Sequence, residues 1–193
     1  HYHYWEEGGG NYHTRYKTWE VVRGQEGDPW KGNLDPSIPV PPGNLNEKLR
    51  APASLRQDWV NRSYMQNEAD HYQAQTFQLG LEFLDTNHRF DNWFLQIETF
   101  DPHEPYFTYA KYLSLYPDPY KGPHFDWPPF QRVNESPEAV RHMRYVNAAL
   151  ISMCDHYLGQ VLDKMDALDL WKDTLLIVNT DHGFLLGEHD WWA

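Results

Sequence analysis

A long amphipathic pattern followed closely by a short apolar run restricts the fold more than anything else in the chain. From Pro137 to about Leu168, the residues Val140, Met143, Val146, Leu150, Met153, Tyr157, Val161, Met165 and Leu168 recur at three- and four-residue steps. That is the period of one helix face. Ser136 is a good N-cap, and Pro137 suits the first helical position, where a missing N–H costs nothing. Thr174-Leu175-Leu176-Ile177-Val178 then runs apolar without alternation, as a strand buried on both faces of a parallel sheet does. Upstream, Asn92 to Thr99, centred on Trp93-Phe94-Leu95-Gln96-Ile97, reads as a second strand. Strand, helix, strand in this order is a βαβ crossover of right-handed sense. The expected fold class is therefore α/β, with a mostly parallel sheet flanked by helices.

Ahead of this unit a helix is expected from about Glu68 to Asp85, with Asn67 as N-cap and acids in the first turn. Its stripe would be Ala69, Tyr72, Thr76, Leu79 and Phe83. Residues 1–66 are rich in Gly, Pro, Asn and Trp and show no sustained period, so loops and short strands are expected there. The 193 residues then form one domain: a loop-rich segment, 1–66, and an α/β core portion, 67–193. Neither end looks natural. His1-Tyr2-His3 lacks an initiator Met and a signal peptide, and the chain stops in Asp190-Trp191-Trp192-Ala193. A segment of a longer chain is expected.

Composition removes some functions. A formal net charge of −12 argues against nucleic acid held on a basic face. No apolar stretch approaches the roughly 20 residues that span a bilayer. The one cysteine, Cys154, cannot form an intrachain disulfide, and its mid-helix setting suits a small buried residue better than a nucleophile. The 9 Trp and 13 Tyr are expected to pack the core and anchor loops, or to line a sugar-binding cleft.

Ligands in open α/β sheets sit beyond the C-terminal strand ends, and both polar clusters of the chain fall there. After the first strand comes Asp101-Pro102-His103-Glu104-Pro105, where prolines stiffen the loop around one imidazole. A preorganised His can contact an anion or act as general acid near neutral pH. After the second strand comes Asp181-His182-Gly183. A carboxylate and an imidazole suit a divalent cation, though two ligands cannot hold it alone. Residue types alone also allow a structural loop His and a turn-capping Asp. His1 and His3 alternate, so both would face one side of a strand.

In this order the clusters resemble the sulfatase family of the alkaline phosphatase-like superfamily. Asp173 to Gly183, then Leu186-Gly187-Glu188-His189, is similar to that family's strand-plus-metal-loop signature. Tyr145, Asp155 and Gly159 on the preceding helix match its spacing, and Pro102-His103-Glu104-Pro105 resembles its Pro-His-x-Pro loop. The likeness covers roughly the second half of the chain. It implies an alkaline phosphatase-like core and hydrolysis of sulfuric esters in a sulfated small molecule or carbohydrate. Asp181 and His182 would be two ligands of a divalent ion, usually calcium. His103 would contact the sulfate ester or protonate the leaving oxygen. His1 and His3 stand about where the family has Gly-Lys-Trp-His: His3 would match the catalytic His, and His1 the substrate-binding Lys. The family's nucleophile, a formylglycine made in a Cys/Ser-x-Pro/Ala-x-Arg motif, and its Asp-Asp metal pair have no counterpart here and are expected upstream. Alternatives from the same superfamily are a phosphatase, a phosphodiesterase or a phosphonate monoester hydrolase. A non-catalytic sugar-binding or structural module is the third reading.

Overall fold

The structure, a computed structural model, describes residues 12–38, 40–41 and 52–193. Its frame is helical. Helix α1 spans Pro52–Arg62, α2 Tyr72–Asn87, α3 Ala110–Leu113 and α4 Pro137–Ala167. Strands β1, Gln131–Arg132, and β2, Trp191–Trp192, pair antiparallel.

Helix α4 forms where the periodicity placed it. Ser136 Oγ accepts the Ala139 N–H at 3.3 Å, and Met143, Val146, Leu150, Met153, Tyr157, Val161 and Met165 line its buried face. Helix α2 packs against it, with Phe77 stacked on Tyr157 at 5.6 Å. The expected helix from Glu68 is broken in two. Glu68–Asp70 is a 3₁₀ turn, and His71 adopts an extended conformation (φ −69°, ψ 138°) before α2 begins. Its Nδ1 accepts the Gln73 N–H at 3.2 Å, so His71, not Asn67, caps the α-helix. The break rotates the buried face to Ala74, Phe77, Leu81 and Leu84, leaving Thr76, Leu79 and Phe83 half-buried and Ala69 exposed.

Helix α1 corrects the expectation of loops and short strands before residue 66. It escaped pattern reading because its buried side is largely polar: Asp58, Asn61 and Arg62 lie inward beside Leu55 and Val60. Asn61 Nδ2 donates to the Asp28 carbonyl at 2.8 Å and Arg62 pairs with Asp58 and Asp126. An inner face built of paired charges and amides leaves no apolar stripe in the sequence.

The expected parallel pair is not seen. Among the described residues the sheet is β1–β2, and neither 92–99 nor 174–180 belongs to a ladder. Exposure nonetheless alternates as along a strand, through 93–99 in the first segment and 174–177 in the second. Trp93, Leu95 and Ile97 pack on the core, while Phe94, Gln96 and Glu98 point outward. Ile97 lies so close to α2 that a Cβ on Gly80 would stand 2.3 Å from its Cδ1. In the second segment Leu176 touches the core, but Leu175 is 82 % exposed and Ile177 72 %. A run apolar on both faces meets partners on one face only, which is why pattern and ladder disagree.

Candidate active site

The first extended segment runs into the loop that carries His103. Asp101 anchors this loop from below: it is buried and accepts the Tyr72 hydroxyl at 2.8 Å. Burial pushes its carboxyl up to about 8, against the opposing pull of the Tyr72 hydrogen bond. The peptide bonds before Pro102 and Pro105 are both cis. The His103 N–H donates to the Phe100 carbonyl at 3.1 Å, and the imidazole stacks on Phe100 with centroids 4.5 Å apart. Nδ1 of His103 lies 2.6 Å from the Glu104 carbonyl oxygen and 3.2 Å from Glu104 Oε2. Beyond Pro105, the Tyr106 N–H donates to the Asp126 carbonyl at 2.8 Å, fixing the loop's far end.

The second extended segment delivers Asp181 and His182. The His182 N–H donates to Asp181 Oδ1 at 2.9 Å, and Thr180 Oγ1 donates to the His182 carbonyl at 2.7 Å. His182 Nδ1 sits 3.1 Å from the Gly183 carbonyl. A carbonyl accepts only, so that nitrogen carries the proton, and Nε2 keeps its lone pair. Nε2 faces Asp181 Oδ2 at 3.7 Å, and both side chains are largely exposed. An oxygen and a nitrogen this far apart can both reach one divalent ion at about 2.0–2.6 Å. The donor set therefore fits part of a coordination shell. Among the described residues no group of three or more His, Cys, Asp or Glu side chains is placed to hold a metal ion.

One ring joins the two clusters. Phe184 meets His103 edge-on at 5.2 Å and His182 at 5.5 Å, with Tyr106 at 6.1 Å. The loop that carries Phe184 is tied back to α4. Arg144 Nε donates to the Leu186 carbonyl at 2.8 Å, and Arg144 Nη2 pairs with Glu188 Oε1 at 3.3 Å. Gly187 turns at φ 89°, where a Cβ would meet Val140 at 2.8 Å. Glu188 here anchors a loop. His1 and His3 lie outside the described residues. Cys154 is half-buried on α4, and burial with Asp101 nearby pushes its thiol up, so it stays protonated.

Glu104 and Phe184 are the two site neighbours that residue-type reasoning did not single out. Glu104 was visible as the variable position of the proline-bounded loop. Phe184 offered no signal, because a phenyl ring after Asp-His-Gly reads as ordinary packing.

An imidazole on a fixed loop beside a carboxylate–imidazole pair can serve an anionic ester next to a cation. The family model described as Sulfatase matches residues 4–191. The choline-sulfatase of Rhizobium meliloti (strain 1021) is 30% identical over 133 residues, covering 60% of this chain and 26% of that protein. The human iduronate 2-sulfatase is 38% identical over 53 residues, 28% of this chain and 10% of its own length. The Trinickia caryophylli multifunctional alkaline phosphatase superfamily protein PehA is 42% identical over 50 residues, 26% of this chain and 10% of that protein. No solved structure gives a significant match. The chain belongs to the sulfatase family, and membership carries the alkaline phosphatase-like α/β fold class. It spans about a quarter of the length of the choline-sulfatase it matches.

Proposed function

We infer that this chain supplies part of the active site of a sulfuric ester hydrolase acting on a sulfated small molecule or carbohydrate. The observation that carries the reading is the meeting of His103 and His182 on the Phe184 ring, within a chain matched end to end by the sulfatase model. Asp181 Oδ2 and His182 Nε2 would hold the divalent ion, taken to be calcium. Such an ion, when bound, offsets the charge of the sulfate and polarises its sulfur–oxygen bonds.

The chain's own residues then do three things. The Gly183 carbonyl holds His182 in the tautomer whose Nε2 keeps its lone pair, and Asp181 fixes the His182 backbone N–H. Phe100 and Phe184 fix the plane of the His103 ring. His103 gives the proton on Nε2 to the ester oxygen as the bond from sulfur to that oxygen breaks, and the electron pair goes to the departing alcohol. His3 would assist at the same centre and His1 would contact the sulfate, as the family resemblance implies. The nucleophile is assigned to a formylglycine, whose motif is absent from these 193 residues. The finer fold reading is a mostly parallel sheet in which 92–99 and 174–180 pair with further strands. Their alternation and the exposed Leu175, Ile177 and Val178 support it.

The likeness to PehA keeps a phosphoester hydrolase as the second reading. Full-length protein assayed on aryl sulfates of graded leaving group tests the role of His103. His103→Gln should slow esters of poor leaving alcohols far more than esters of nitrophenols, because a good leaving group needs no proton. Equal slowing of both would refute the assignment of His103 as acid.

A further inference from the structure

We propose that Glu104 is a positioning residue for His103: its backbone carbonyl takes the Nδ1 proton and its buried carboxylate stands against that edge of the ring, so that the ring presents Nε2 to the substrate. The inference rests on the reading of His103 as proton donor to the leaving oxygen.

Three features of the loop support it. Glu104 is 1 % exposed, yet its Oε2 stands 3.2 Å from His103 Nδ1 and its carbonyl oxygen stands 2.6 Å away. Both partners are acceptors, so Nδ1 is the protonated nitrogen in either charge state of the ring. The ring cannot turn away, because Phe100 covers one face and Phe184 meets it edge-on. An anion held out of water against an imidazole favours the imidazolium, the form that can give up a proton at Nε2.

Among the described residues, two further elements bring titratable groups toward the ring. On the 181–184 segment, Phe184 touches both His103 and His182, whose neighbour is the largely exposed Asp181. Behind the loop, Asp101 is bonded to Tyr72, and burial keeps its carboxyl raised. The Tyr106 hydroxyl is pushed up by burial and by nearby Glu104. Prolines on both sides of the His-Glu pair keep backbone and side chain in register.

The test uses full-length protein and the exchange rate of the His103 ring C2 hydrogen, read by peptide mass spectrometry across pH. Glu104→Gln keeps the shape and removes the charge. It should lower the His103 midpoint by about one pH unit, and the alkaline limb of kcat should move down by the same amount. Glu104→Asp should restore part of the shift. An unmoved midpoint in folded Glu104→Gln overturns the proposal. If that variant does not fold, the nitrogen shifts of His103 in unsubstituted protein decide. The Nδ1–H tautomer at high pH upholds the proposal, and the Nε2–H tautomer overturns it. A shifted midpoint with turnover indifferent to His103→Gln keeps the pairing but removes its catalytic role. That outcome marks failure of the functional reading rather than of the geometry.

Discussion

Replacing Arg62 by Met would expose how the site is footed. Arg62 Nη1 lies 2.7 Å from Asp126 Oδ2 and Nη2 lies 2.9 Å from Asp58 Oδ2, with all three side chains almost wholly buried. Trp59 and Phe107 cover the guanidinium at 4.8 and 4.9 Å. Met fills most of the volume but leaves two buried carboxylates without their cation, at a cost of about 3–5 kcal/mol. For a chain of this size that is about 2–4 °C of melting temperature per kcal/mol.

The pH dependence makes the test specific. Burial pushes Asp58 up to about 7, with Arg62 pulling the other way. Burial would also raise Asp126, but Arg62 and His124 outweigh it and hold that carboxyl well below the usual range. Asp126 therefore contributes stability above its unfolded value near 4, lost as pH falls. Asp58 contributes stability below that value, lost as pH rises through about 7. Without Arg62 both folded-state values rise, so the variant takes up protons on folding and recovers stability on acidification. Urea unfolding followed by tryptophan fluorescence at pH 7 and pH 5 should show the deficit shrinking at the lower pH. A deficit under about 1 kcal/mol at pH 7, or one that grows at pH 5, would refute the reasoning. Loop geometry should suffer too, since the Asp126 carbonyl holds the Tyr106 N–H beside the His103 loop.

Gly80→Val drives side-chain atoms into Ile97, so it should cost about 1–3 kcal/mol, and Ile97→Ala in the same protein should recover part of the loss in a double-mutant cycle. Trp192 is fully buried against Phe125 at 5.7 Å and donates to Glu135 at 2.8 Å. Trp192→Ala should cost about 3–5 kcal/mol by thermal melting and free the 183–193 loop. Phe184→Ala removes the ring shared by His103 and His182. In full-length protein it should lower kcat/KM about 100-fold through misplacement alone, while the melting temperature falls by only a few degrees.

Helix α4 was legible because its apolar positions, its serine cap and its first-turn proline all point the same way. Helix α2 was legible in kind but not in phase, since a buried histidine caps it one turn late and rotates the stripe. Helix α1 was invisible because ion pairs and amide hydrogen bonds, not apolar periodicity, hold its inner face. The two extended segments were recognisable from alternation and apolar content, whereas their ladders depend on partners that a local pattern cannot name. At the site, His103 and the Asp181–His182 pair stood out as chemistry-bearing types at strand ends. Their common contact, Phe184, is a tertiary fact.

The measurement that bears most directly on the function is kcat/KM of the full-length protein for an aryl sulfate and its matched aryl phosphate, with and without a calcium chelator. The sulfate should be the better substrate, chelation should abolish its turnover, and Asp181→Asn should do the same. A preference for the phosphate, or sulfate turnover indifferent to both chelator and Asp181→Asn, would contradict a sulfuric ester hydrolase built on these residues.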